Sequence, residues 1–272
     1  MDNFTLKNAL RITAFDLKTN RKLIMGWFIA IFATMFLYMI LFPSVKDMAQ
    51  FKMEAMPHGV LELFGMEDLT DMSNYVGYFG MVYGIVLIAI SFFSVTFSAG
   101  VLGREEKTRT IEFLYSLTVS KSEIYIAKLF TAFVADLLLI VAVAVATYGC
   151  GVISGGATFD PLDLFQILKI TSFTVFFFMG LGLMIAGVSN QWGTPATGSM
   201  VVIASYLLGY LGTLLNENAA WLKRLSPFEQ FSPANALSLG NDIRITLIIY
   251  FALWLFFIGV GLVIYRRRDF NV

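Results

Sequence analysis

Long stretches without a charged side chain recur along this chain, and each needs surroundings as apolar as itself. A bilayer core about 30 Å thick takes about 20 helical residues at 1.5 Å each. Four stretches are single spans: Leu23 to Val45, Met72 to Gly103, Leu129 to Phe159 interrupted only by Asp136, and Ile245 to Tyr265. A fifth, Ile170 to Asn216, is about twice the needed length. Ser189-Asn190-Gln191-Trp192-Gly193-Thr194-Pro195 divides it with turn-forming residues. The expectation is an all-α integral membrane fold with six transmembrane helices. Composition agrees, since 58% of the 272 residues are hydrophobic and 14% are charged, where soluble chains carry roughly a quarter charged.

The formal charge is zero, so the total suggests neither a nucleic-acid partner nor a steering field for acidic substrates. Placement says more. With Met1 in the cytoplasm, 13 Lys or Arg fall inside and 6 outside, and 11 acidic residues fall in outer loops. The positive-inside rule therefore predicts both termini in the cytoplasm of a multi-pass protein. The first apolar run has no small-residue cleavage pattern behind it and is expected to stay attached. Before it, Leu6, Leu10, Thr13 and Leu17 form one stripe and Lys7, Arg11 and Lys18 another, the pattern of an amphipathic interfacial helix. This elbow, residues 1–22, either anchors the first span at the membrane surface or touches a cytoplasmic partner. Residues 23–272 form the six-helix transmembrane domain.

Between the second and third spans, Arg104 to Lys121 reads as a short cytoplasmic helix over about 108–118. On its wheel Ile111, Leu114 and Tyr115 cluster with Phe113 and Leu117 beside them, leaving a narrow polar arc of Arg109, Glu112 and Ser116. Ser120-Lys121-Ser122-Glu123 is a capping box that starts the next long helix. The short helix is thereby a separate element, whose apolar residues meet either lipid headgroups or a groove on another protein.

These residues resemble the cytoplasmic coupling-helix signature of ABC-2 family transporter permeases, at Glu105, Thr110, Ile111, Glu112, Leu114, Val119, Ser120 and Lys121. Arg109 stands where that family usually has Gly, and Thr118 where it usually has Pro. The resemblance extends to the elbow, the six-span layout, Ser226-Pro227-Phe228 in the last outer loop and the ending Tyr265-Arg266-Arg267-Arg268-Asp269. It implies the permease subunit of an ATP-driven exporter in a bacterial plasma membrane. Such a permease pairs with a second copy or a related permease and binds two copies of a cytoplasmic ABC ATPase subunit. The docking residues it implies are Glu105, Arg109, Ile111, Glu112, Phe113, Leu114, Tyr115 and Leu117. No Gly-x-x-x-x-Gly-Lys-Ser/Thr phosphate loop occurs, so ATP and Mg are expected on the partner, with no cofactor and no catalytic residue in this chain. Amphipathic peptides, drugs or lipid-linked compounds are the expected substrates, because the spans hold a single ionisable residue.

That residue, Asp136, is either a gate or one half of an ion pair with a Lys or Arg of the elbow. His58 lies near Met48, Met53, Met56 and Met66, a soft-ligand set, but Met also fills irregular apolar gaps, and no metal site is expected. The lone Cys150 reads as a packed small residue. Gly180, Gly182, Ala186 and Gly187 offer a small-residue packing face, and Phe176, Phe177 and Phe178 must point in different directions. A secondary transporter or channel is the alternative, and would need coupling-ion sites, broken helices or a repeat. An intramembrane enzyme lacks a nucleophile and base at one depth.

Overall fold

The computed structural model describes residues 6–55, 72–104, 119–188, 194–214, 220–237 and 241–267. The helices in chain order are α1 (Leu6–Ile40), α2 (Phe42–Ala55), α3 (Tyr75–Leu102), α4 (Lys121–Cys150), α5 (Pro161–Val188) and α6 (Thr194–Leu214). Three short ones, α7 (Ala220–Lys223), α8 (Pro227–Gln230) and α9 (Pro233–Leu237), precede α10 (Asn241–Arg267). Among the described residues there is no strand. Five helices are long and apolar enough to cross a membrane: α1, α3, α4 with its continuation to Thr158, α5 and α10. The apolar part of α6, Ala196–Gly212, is shorter.

Local chemistry explains most boundaries. Asn74 caps α3 by accepting from the Val76 amide at 3.0 Å. The expected capping box opens α4: the Glu123 amide donates to Ser120 Oγ at 3.2 Å, and the Ser120 amide donates to Glu123 Oε2 at 2.8 Å. A turn at Leu41 separates α1 from α2 just before Pro43, whose missing N–H would break a continuing ladder. After Cys150 a π-helical turn (Gly151–Gly155) and a 3₁₀ turn (Gly156–Thr158) end the element. Gly156 sits there at φ 55°, a conformation that suits glycine.

The elbow differs from the sequence expectation. No break separates it from the first span, because Leu6 to Ile40 run as one helix of 35 residues. No Gly or Pro occurs between Leu6 and Met25 to interrupt it. Its inward face is formed by Ala9, Thr13, Asp16, Ile24, Ile31, Met35 and Met39, while Leu6 and Leu10 of the apolar stripe are exposed. Small Ala9 and Thr13 let α1 approach α4 closely, and Thr13 Oγ1 lies 3.1 Å from Ala127 O.

The small residues of α5 serve two faces rather than one. A Cβ on Gly182 would stand 2.5 Å from Val95 O of α3, and Ala186 shares an apolar cluster with Ala99 and Leu102 of the same helix. A Cβ on Gly180 would stand 2.8 Å from Trp254 Cδ1, and one on Gly187 would stand 2.9 Å from Gly261 O, both on α10. Helical geometry requires this split, since positions four or seven apart share a face and positions two apart do not. The three phenylalanines diverge as expected. Phe176 stacks on Phe133 of α4, Phe177 meets Tyr250 and Phe257 of α10, and Phe178 meets Phe228 of α8.

Hydrogen bonds fix which helix ends lie together. Arg104 Nη1 donates to Asn20 Oδ1 at 3.4 Å, Asn8 Nδ2 to Glu123 Oε1 at 3.3 Å, and Lys121 Nζ to Arg266 O at 3.4 Å. One end of the bundle thus gathers the start of α1, the end of α3, the start of α4 and the end of α10. At the other end Tyr78 bonds Tyr38 O, Tyr75 bonds Thr147 O, and Tyr250 bonds Arg224 O through their hydroxyls. Between these ends α6 runs from Gly198, beside Val95, to Gly212, beside Lys223.

Candidate functional site

The eight docking residues inferred from sequence, Glu105, Arg109, Ile111, Glu112, Phe113, Leu114, Tyr115 and Leu117, lie outside the described residues. What the structure describes is the platform on either side of them. On the near side α3 ends at Leu102, and the Gly103 amide donates to Ala99 O at 3.1 Å. On the far side Glu123 is 1% exposed, with one carboxylate oxygen closing the capping box and the other accepting from Asn8 of α1. The residue that starts α4 therefore also fixes the beginning of α1. Beneath it lies a second apolar cluster, Ala99, Leu102, Ile124, Tyr125, Leu183, Ala186 and Tyr265, with Ile12 and Val119 packed against it. Tyr125 donates to Ile258 O at 3.0 Å, so α10 is tied to the same platform.

One turn deeper, Lys128 Nζ lies 2.9 Å from Asp16 Oδ2 and 3.2 Å from Oδ1, with side chains 0% and 2% exposed. This ion pair joins α1 to α4 with the signs opposite to the sequence reading, which gave the cation to the elbow and the carboxylate to Asp136. Depth explains the exchange. Asp136 lies eight residues beyond Lys128, roughly 12 Å along the helix, whereas Lys128 is level with the elbow. Asp16 was the available signal: it is the one acidic residue between Leu6 and Leu23, on the face of Ala9 and Thr13.

Asp136 is fully buried and meets a hydroxyl instead. Ser94 Oγ of α3 lies 2.6 Å from Asp136 Oδ2 and 3.0 Å from Val175 O of α5. Asp136 Oδ1 has no hydrogen-bond partner among the described residues. Three helices converge on this serine at one level of the bundle.

At the opposite end the segment 220–237 returns into the bundle. Ser226 precedes α8, without a capping bond from its hydroxyl, and Ser232 precedes α9, each followed by a proline at the first helical position, where its missing N–H costs nothing. Thr174 of α5 donates to Pro227 O at 3.2 Å, Gln166 donates to Ala236 O at 2.8 Å, and Phe231 packs on Tyr250 at 4.9 Å. The repeated Ser-Pro, six residues apart, signalled this pair of short helices. A cleft of about 360 Å³ opens beside them, lined by Arg224, Gln230, Ile245, Thr246, Ile249 and Tyr250.

Of the soft-ligand set, His58, Met56 and Met66 lie outside the described residues, and Met48 is exposed on α2. Cys150 is buried as expected, its Sγ 3.7 Å from Phe36 O.

A bundle of membrane-length helices with a polar platform at one end is compatible with many membrane functions, and comparison with known families narrows them. The family model described as multidrug efflux system permease Rv1217c, C-terminal domain, matches residues 11–266. The chain belongs to this family. Membership makes it a membrane transport permease, and the matched range runs from within the first turns of α1 through the platform and Asp136 to the last turn of α10. No curated protein matches the chain.

Proposed function

We propose that the chain is the permease subunit of an ATP-driven exporter of the ABC-2 type, moving amphipathic drugs, peptides or lipid-linked compounds outward. Membership in a family named for multidrug efflux carries the reading. The capped platform beside residues 105–118 supports its mechanism. A separate nucleotide-binding subunit holds ATP and Mg and docks on Ile111 to Leu117, between the end of α3 and the start of α4. Because Glu123 and Lys121 bind α1 and α10, displacement of that segment is transmitted to several helices at once. In this reading α6 is a sixth crossing, which places both termini on one side. The basic end is then cytoplasmic, in line with the charge asymmetry of the sequence. The exposed apolar faces of α1 and α10 are available to lipid and to a second permease copy or a related permease.

The test is recovery of the ATPase subunit with the tagged chain from its native membranes, together with ATP-dependent drug export. Wild type and Ser116→Ala should bring the ATPase down. Leu114→Asp should lose both the ATPase and export while inserting normally, since it removes an apolar anchor worth roughly 1.5 to 3 kcal/mol and desolvates a carboxylate. Unchanged recovery with Leu114→Asp refutes the docking role and restores the secondary-transporter alternative.

A further inference from the structure

A serine hydroxyl carries one proton, yet Ser94 Oγ stands at hydrogen-bond distance from two acceptors, Asp136 Oδ2 at 2.6 Å and Val175 O at 3.0 Å. An ionised Asp136 brings no proton of its own. The hydroxyl would then share its single proton between both acceptors, as Thr13 Oγ1 does between Ala9 O and Ala127 O, and the buried carboxylate would receive only part of one hydrogen bond. A protonated carboxyl resolves the count, because Oδ2–H donates to Ser94 Oγ and leaves the serine proton for Val175 O.

The surroundings argue the same way. No Lys, Arg or His lies between Leu23 and Val45, Met72 and Gly103, Leu129 and Phe159, Ile170 and Leu214, or Ile245 and Tyr265. On α1, whose contacts with α4 keep an offset of 112 to 114 residues, Arg21 and Lys22 come level with Asp136, but both are exposed while Asp136 is fully buried. The nearest cation on its own helix, Lys128, has its Nζ on Asp16. The neighbouring polar side chains bond elsewhere: Ser91 and Ser98 to Leu87 O and Val95 O on α3, and Thr171 and Thr174 to Ile167 O and Pro227 O. An ionised carboxylate here would be a fully buried charge with one hydrogen bond and no counter-ion, an arrangement proteins avoid.

We propose that Asp136 is a proton-binding site, whose carboxyl holds a proton at neutral pH and donates it to Ser94, closing a latch that links α4 through α3 to α5. The ligand is the proton itself, and the latch holds only while it is bound. Ser94 is the positioning residue and Val175 O the terminal acceptor. This inference does not depend on the partner that drives transport.

Infrared difference spectroscopy of the full chain in lipid vesicles tests it. Wild type minus Asp136→Asn at neutral pH should show the C=O stretch of one protonated carboxyl, shifted in D₂O. Ser94→Ala should move that band without removing it. A carboxylate band in its place overturns the proposal, as does a band indifferent to Ser94→Ala. Thermal melting gives a second readout. Asp136→Asn keeps a donor toward Ser94 and should melt close to wild type, while Asp136→Leu should melt well below it. Equal loss in the two variants also overturns the latch. Should neither Asp136 variant accumulate, the wild-type band assigned by isotope-labelled aspartate, and its movement in Ser94→Ala, carry the test.

Discussion

Asp16 and Lys128 illustrate what a buried pair demands of its members. Removing one partner leaves the other charged and desolvated, which costs about 3 to 5 kcal/mol, whereas replacing both by apolar residues of similar volume is often close to neutral. Lys128→Ala is therefore expected to lower the melting temperature of the detergent-purified protein sharply. Asp16→Leu combined with Lys128→Met is expected to recover most of that loss. At Ser120 the scale is smaller. Ser120→Ala removes one cap and should cost about 1 kcal/mol, read as faster amide exchange confined to the first turn of α4. These two cases also show what a sequence displays at this scale. The capping box was legible because both members lie within four residues. The ion pair was not, because its members are 112 residues apart in sequence and only the packing of α1 on α4 brings them together. Asp136 was recognised as exceptional from the sequence, but its serine partner was not, since serines are common in these helices and nothing local marks Ser94.

Among the elements, α5 is the most constrained by its neighbours. Gly182→Val would drive a side chain into Val95 O and Ser98 Oγ, and overpacking of this kind typically costs about 1 to 3 kcal/mol. Gly84 has nothing within 4 Å of an added Cβ, so Gly84→Ala should be neutral or mildly stabilising, because alanine favours helix. Size-exclusion profiles and melting temperatures of the two variants, side by side, check the contrast. Helix positions were legible here because a charge-free run of membrane length has few alternatives. Faces were harder to read. Gly180, Gly182, Ala186 and Gly187 look like one stripe in sequence but divide between α3 and α10 once the wheel is respected. The elbow was read as a separate element because its composition changes at Leu23, yet a change from polar to apolar residues does not end a helix when no breaker accompanies it.

For the whole molecule, the direction of α1, α3, α4, α5, α6 and α10 alternates, so the described ends sort into a basic side and an opposite side. Single cysteines in a cysteine-free background test the orientation. A cysteine at Lys52 should react with an impermeant maleimide in intact cells, and one at Lys107 should react only after the membrane is opened. The reverse pattern would invert the topology. The all-α membrane class was plain from length and hydropathy. The return of residues 220–237 into the bundle was not, because a short polar segment between spans reads as a surface loop until Pro227 O is seen to accept from Thr174 and Phe231 to pack on Tyr250.

The polar contacts of α4 bear on how the chain enters the membrane during synthesis. Lys128 and Asp136 are its costly residues, and their partners Asp16 and Ser94 both precede it in the chain. When α4 leaves the ribosome, at about 5 to 20 residues per second, both partners have already been made. The helix that carries Asp136 can thus be accepted by α1 and α3 on arrival, and α5, which supplies Val175, arrives to a site already half built.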